Sequence, residues 1–192
     1  MNSTPRCYVA GPLFDEGERW FIEKVEALVA EEGFTTFLPH RDNPPKDEHN
    51  VRLIFENDKN GIDTADVVVA NLNGLGTDDG TAWELGYAYA KGKYCIGLYT
   101  DWRMRFAHEV VNLMMGCSLD RVVRSLDELR DALREWHNRS RSGNDGPSRR
   151  SHPPGSSHRC HRYRNSRWGS SPGTAGGRAR RNRTRRAAPP RW

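Results

Sequence analysis

Hydrophobic positions follow two alternating rhythms along this chain. Short apolar runs recur at 7–10, 34–38, 67–71, 94–99 and 121–123, each bounded by glycine, proline, asparagine or charge. Such runs mark strands buried on both faces. Between them, apolar residues take helical spacing. Phe14, Phe21, Val25, Leu28 and Val29 share one face over 14–32, and Gly33 is placed to stop that helix. Helices are also predicted over 51–59, ending near Asn60-Gly61, over 81–91 with Gly92 as the stop, and over 106–115. Ser125-Leu126-Asp127-Glu128 fits a capping box. It opens a last helix with Leu126, Leu129 and Leu133 on one face, ending near His137. The proline-bearing segment 40–50 and the glycine-rich segment 74–80 read as loops.

Strand and helix alternate throughout, which predicts an α/β fold. The expected architecture is a single-domain doubly wound parallel sheet flanked by helices, flavodoxin- or Rossmann-like. Residues 1–138 are enough for one such core.

Charge divides the 192 residues differently. Residues 1–140 carry 16 Lys+Arg against 24 Asp+Glu, a balance of −8. Residues 141–192 carry 14 Arg and one Asp, a balance of +13, and contain no Leu, Ile, Val, Met, Phe or Lys. A stretch of that composition cannot bury a core, so 139–192 is expected to be a disordered Arg/Ser/Gly/Pro-rich tail. Three readings of it stand open: a solvated tail, the product of an out-of-frame GC-rich gene, or a nucleic-acid-binding arm. Nucleic acid is a partner only on the third. His158, Cys160 and His161 do not match zinc-site spacing.

Cys7, Cys95, Cys117 and Cys160 show no paired spacing, which suits reduced thiols. No apolar stretch is long enough to span a membrane, and the first residues lack the basic and apolar regions of a signal peptide. A cytoplasmic protein without a membrane partner is expected.

The richest stretch for chemistry is Asp78-Asp79-Gly80-Thr81-Ala82-Trp83-Glu84-Leu85-Gly86-Tyr87-Ala88. It follows one predicted strand and precedes another, so its acids should sit at the mouth of the sheet, with Glu84 in the first turn of the helix. A Glu there often serves only the helix dipole. Here Gly80 and Gly86 permit close approach of a ligand, and Trp83 and Tyr87 offer rings to stack on or to pack in the core. Asp78 and Asp79 are also ordinary turn residues by type. Asp58 is an anomaly, an acid near the predicted end of a helix where the dipole disfavours it. Asp63 and Asp66 are expected to cap or turn before the strand. The loop has no Walker lysine, there is no Gly-x-Ser-x-Gly elbow, and His40, His49 and His108 are scattered. Carboxylate chemistry remains, and paired carboxylates are how glycosyl bonds are broken.

In order along 7–123, the residues resemble the nucleoside 2-deoxyribosyltransferase family. Tyr8-Val9-Ala10-Gly11-Pro12-Leu13-Phe14 resembles its first strand and substrate loop, and Asn57-Asp58-Lys59-Asn60-Gly61-Ile62 its Asn-Asp-x-Asn-Gly-Ile segment. Asp78-x-Gly80-Thr81-x-x-Glu84-Leu85-Gly86-Tyr87-Ala88, then Gly92-Lys93, resembles its catalytic signature, and Asn112-Leu113-Met114 a later segment. The resemblance implies Glu84 as the nucleophile at C1′ of a 2′-deoxynucleoside. It implies Asp58 at the base, exchanging a proton with its ring nitrogen, and Tyr8 orienting Glu84. Asp78 would hold the sugar hydroxyls, and Phe14 would line the base pocket, with Gly11 and Gly80 in the substrate loops. Asn112 and Met114 would complete a neighbouring subunit's site, so a homo-oligomer acting on deoxynucleosides and nucleobases is implied. The chemistry calls for no metal or organic cofactor. Two alternatives stay open: a hydrolase of the same fold cleaving 2′-deoxynucleoside 5′-monophosphates, with Arg103, Arg105 or Ser118 on the phosphate, and a non-catalytic nucleotide- or nucleic-acid-binding module. Asp79 is a second acid beside Asp78, outside the pattern.

Overall fold

The computed structural model describes residues 3–101 and 111–142. Residues 106–110 of the predicted helix over 106–115 and the basic tail from 143 lie outside the described residues.

Five strands, β1 (Arg6–Ala10), β2 (Thr35–Phe37), β3 (Val67–Asn71), β4 (Tyr94–Leu98) and β5 (Arg121–Val123), form one sheet in the order β2-β1-β3-β4-β5. Every pairing is parallel, as the buried apolar runs predict. Val9, Val69 and Ile96 align across the sheet, and so do Tyr8, Val68 and Cys95. Successive side chains point to opposite faces, so each run feeds two cores. Cys7, Val9, Val67, Val69, Ile96 and Leu98 pack beneath α1 (Glu16–Glu31) and α6 (Leu126–Arg141) through Ile22, Val25, Leu129 and Leu133. Tyr8, Ala10, Val68, Ala70 and Cys95 pack on the other face against Ile62 of α3 (Val51–Thr64) and Leu85 and Ala88 of α4 (Asp79–Ala90). Both faces are thus covered, and the sheet is doubly wound.

Helix ends depart from the sequence expectations for local reasons. Asp15 caps α1 in a complete capping box with Glu18, so Phe14 precedes the helix and is 75% exposed rather than on its inner face. Gly33, at φ 88°, ends it as predicted. The expected loop over 40–50 begins with a short helix, α2 (Pro39–Asp42), where proline sits in the first turn and the Asp42 carboxylate accepts the Leu38 N–H at 2.8 Å. Helix α3 runs straight through Asn60-Gly61, the predicted stop. A Cβ on Gly61 would lie 3.0 Å from the rings of Phe37 and Tyr8, so this glycine serves close packing, not termination. Helix α4 begins two residues early because Asp78 caps it, which moves Glu84 from the first turn into the second. The Ser125 hydroxyl caps α6 through the Glu128 N–H, but the Glu128 carboxylate takes the Arg124 N–H, so only half of the predicted box forms. The helix continues to Arg141, past the expected end at His137. A short α5 (Leu113–Ser118) lies within 111–118.

The chain steps from β1 outward to β2, then α3 carries it back across β1 to β3. The crevice at the C-terminal ends of β1 and β3 is therefore the switch point, where this architecture holds its ligands.

Candidate active site

Tyr8, on β1, is fully buried, and its phenol donates a 2.6 Å hydrogen bond to Oε1 of Glu84, 76 residues away. A buried phenol needs a partner, and the carboxylate is one. The Tyr8 ring stacks on Phe37 at 5.4 Å and nearly parallel, while Gly61 lets α3 close against it. Three separate segments thus fix the hydroxyl that holds Glu84.

Glu84 is partly buried on the sheet-facing side of α4, between buried Thr81 and Ala88. Burial pushes its carboxyl from the usual 4.5 up to about 8. The Asp58 and Asp78 carboxylates push the same way, and the Tyr8 hydroxyl opposes them. Burial first, and then the negative charges of Glu84 and Asp58, raise the Tyr8 phenol, so it remains a proton-bearing donor.

Asp58 stands in the middle of α3, so the dipole anomaly inferred from a nearby helix end does not exist. Its carboxyl is nonetheless raised, by burial, against the hydrogen bond from Asn43. That bond runs from Asn43 Nδ2 to Asp58 Oδ1 at 2.6 Å.

Asp78 turns Oδ2 inward, where it accepts the Thr81 N–H at 2.8 Å and the Thr81 hydroxyl at 2.9 Å. Both bonds fall on one oxygen. A Cβ on Gly80 would crowd that carboxylate at 3.2 Å. Asp79 accepts the Gly80 N–H and is exposed at the helix start.

Gly11 follows β1, and a Cβ there would meet Ile22 at 2.7 Å and Asn71 at 3.1 Å, so the loop lies tightly on the sheet end. Phe14 and Met114 are exposed, at 75% and 72%. Asn112 caps α5, its Oδ1 accepting the Met114 N–H at 2.9 Å. The structure thus joins Tyr8, Glu84, Asp58 and Asp78 in one electrostatic group and leaves Phe14, Asn112 and Met114 at the surface.

Trp83 and Tyr87 stack on each other at 5.2 Å, and Phe55 packs on Trp83 at 5.5 Å. Asp63 is an anchor rather than a cap: it takes the Tyr87 hydroxyl at 2.9 Å, Lys59 at 2.8 Å and Lys91 at 3.2 Å. These contacts hold its carboxyl down at about 2, the Lys59 bond foremost. Asp66 accepts the Arg6 N–H. A surface depression at the start of α3, lined by Glu48, His49, Val51, Arg52 and Phe55, includes none of the four acid-site groups.

Sequence reasoning missed Asn43 and Thr81. Asn43 lies in a segment that reads as a proline-bearing loop and carries no periodic signal. Thr81 was visible as the third residue after Asp78, the position an N-cap carboxylate bonds.

Fold and site define a doubly wound α/β protein with a tyrosine-held carboxylate and a second partly buried carboxylate at its switch point. The family model for nucleoside 2-deoxyribosyltransferase matches residues 7–117, a span containing Tyr8, Asp58, Asp78, Glu84, Asn112 and Met114, and the chain belongs to that family of enzymes. Solved structures agree with the assignment. A 2-deoxyribosyltransferase from Bacillus psychrosaccharolyticus is 27% identical, covering 66% of this chain and 90% of its own, with TM-score 0.55. One from Leishmania mexicana is 25% identical, covering 69% and 99%, with TM-score 0.57. A conserved protein from Enterococcus faecalis is 25% identical over 69% and 99%, with TM-score 0.62. No curated protein sequence matches significantly. Among the described residues, no helix is long and apolar enough to cross a membrane.

Proposed function

We propose that this chain transfers 2-deoxyribose between nucleobases through a covalent ester on Glu84. The observation that carries the reading is the 2.6 Å bond from the buried Tyr8 phenol to Glu84 Oε1 beside a second raised carboxyl, Asp58. A carboxylate oxygen of Glu84 attacks C1′ of a 2′-deoxynucleoside. The C1′–N bond breaks, its electron pair leaves with the base, and Asp58 gives that nitrogen its proton. An incoming base then attacks C1′, the ester breaks, and Asp58 recovers a proton from the new base. Two displacements on one carbon retain its configuration. Without a 2′-hydroxyl to withdraw electrons, C1′ tolerates the positive charge that develops.

The electrostatics couple the two acids. The Asp58 carboxylate raises Glu84, and two close carboxyls favour a state with one ionised and one protonated. Ionised Glu84 with protonated Asp58 is the state the first step needs. In this reading Asp78 holds a sugar hydroxyl and Phe14 lines the base pocket. The exposed Asn112–Met114 segment is assigned to the site of a neighbouring copy, which makes the working unit a homo-oligomer.

The test is incubation of the full chain with 2′-deoxyinosine or thymidine, with and without adenine, and separation of the products by chromatography. The expected result is deoxyadenosine formed only with adenine and lost in Glu84→Ala. Free base released equally without acceptor identifies a hydrolase. Turnover of deoxynucleoside monophosphates alone refutes the neutral 5′-hydroxyl assignment of Asn112 to Met114.

A further inference from the structure

Asn43 lies outside the segments that resemble the family, yet its amide touches Asp58. Nδ2 lies 2.6 Å from Asp58 Oδ1 and 2.9 Å from the Pro39 carbonyl oxygen. The Asn57 amide donates to its Oδ1 at 3.1 Å. These three bonds leave the amide one orientation. The Pro39 carbonyl only accepts, so the end facing it is nitrogen, and both protons of that nitrogen are used. The short helix α2 supplies Pro39 and delivers Asn43 one residue after its end.

We propose that Asn43 is a positioning residue for the acid step: by donating to Oδ1 of Asp58, it confines the transferable proton to Oδ2 and aims it at the base. The inference rests on Asp58 being the group that protonates the departing base. An oxygen already receiving an N–H has that lone-pair direction filled, so the carboxyl protonates on the other oxygen. Asn57 and Pro39 hold the donor itself, so a chain from backbone to amide to carboxyl sets where the proton sits. An unheld carboxyl would share the proton between two oxygens and two rotamers.

The same bond sets the titration. A donor to the carboxylate favours its ionised form, and Asn43 opposes the rise that burial imposes on Asp58. The ionisable groups facing Asp58 are Tyr8 on β1 and Glu84 on α4, with Asp78 acting on Glu84. Charged or titratable groups nearby on α2 and α3 are engaged elsewhere: His40 with Glu23, Arg41 with Glu26 and Asp42, and Lys59 with Asp63. Removing the Asn43 donor therefore raises Asp58 further, and the limb of the pH profile that belongs to its proton loss moves to higher pH.

The experiment compares two donors in the full chain, with adenine as acceptor. One is 2′-deoxyinosine, whose base needs a proton to leave. The other is a 2-deoxyribosyl 4-nitrophenyl ether, whose phenolate leaves without one. Asn43→Ala is expected to lose about tenfold or more in kcat on deoxyinosine and less than about threefold on the nitrophenyl donor, with one pH limb moved upward. Asn43→Asp keeps the size of the side chain and is expected to give the same split. Asp58→Asn sets the scale, about 100- to 10,000-fold on deoxyinosine alone. Equal losses on both donors make Asn43 merely structural and overturn the inference, as does no loss on either. A wild-type chain active on both donors while Asp58→Asn loses equally on both removes Asp58 as the acid, and the role of Asn43 with it.

Discussion

Replacing Tyr8 by phenylalanine isolates one bond. The hydroxyl goes, while the ring stacked on Phe37 and packed against Gly61 stays. Hydrogen bonds to charged groups are worth about 1.5–3 kcal/mol. At 1.36 kcal/mol per pKa unit, losing this one raises Glu84 by about one to two units above its already elevated value of about 8. On the proposed mechanism only the ionised carboxylate attacks C1′, so the ascending limb of kcat/KM against pH moves alkaline by that amount. At neutral pH the ionised fraction falls about 10- to 100-fold, and activity falls with it. Above the shifted limb most of the rate returns. The assay is deoxyribosyl transfer to adenine from pH 5 to 10, with thermal unfolding to confirm an intact fold. A variant that loses activity equally at every pH, with its limb unmoved, refutes the argument that the phenol acts by stabilising ionised Glu84.

Three further outcomes follow from the same geometry. Because the native Glu84 carboxyl keeps its proton from pH 4.5 to about 8 while the unfolded chain releases it, stability is lost as pH rises through that window; Glu84→Gln should raise Tm at pH 9 and leave it nearly unchanged at pH 4, and an equal change at both would contradict the assignment. Gly61→Ala gains up to about 1 kcal/mol of helix propensity but pushes a methyl against two rings, at a typical cost of about 1–3 kcal/mol, so urea denaturation should show a modest net loss and transfer assays a larger one as Tyr8 is displaced. Thr81→Val removes the hydroxyl bond to Asp78 but keeps the backbone cap, so KM for the nucleoside should rise about three- to tenfold with kcat little changed; an unchanged KM would show that the Asp78 carboxylate does not need that anchor.

Much of this molecule is written locally. Five apolar runs, separated by helical periodicity, determined a parallel sheet with helices on both faces, because burial on two sides demands continuous hydrophobicity. The stops at Gly33 and Gly92 were legible since each adopts positive φ, at 88° and 69°. Glu84, Asp58 and Asp78 stood out as acids in a setting where acids have chemistry to do. Yet the dipole argument that singled out Asp58 rested on a stop at Gly61 that the structure does not contain. Tertiary contact decided the rest. Whether Gly61 ends α3 or lies inside it depends on the rings of Tyr8 and Phe37, which no window of sequence around residue 61 includes. The Asn43 bond to Asp58 and the Tyr8 bond to Glu84 join residues 15 and 76 positions apart. Periodicity reports which face of an element is buried, but not what it meets there. Burial in the folded chain is what lifts the two carboxyls, and those two bonds oppose it.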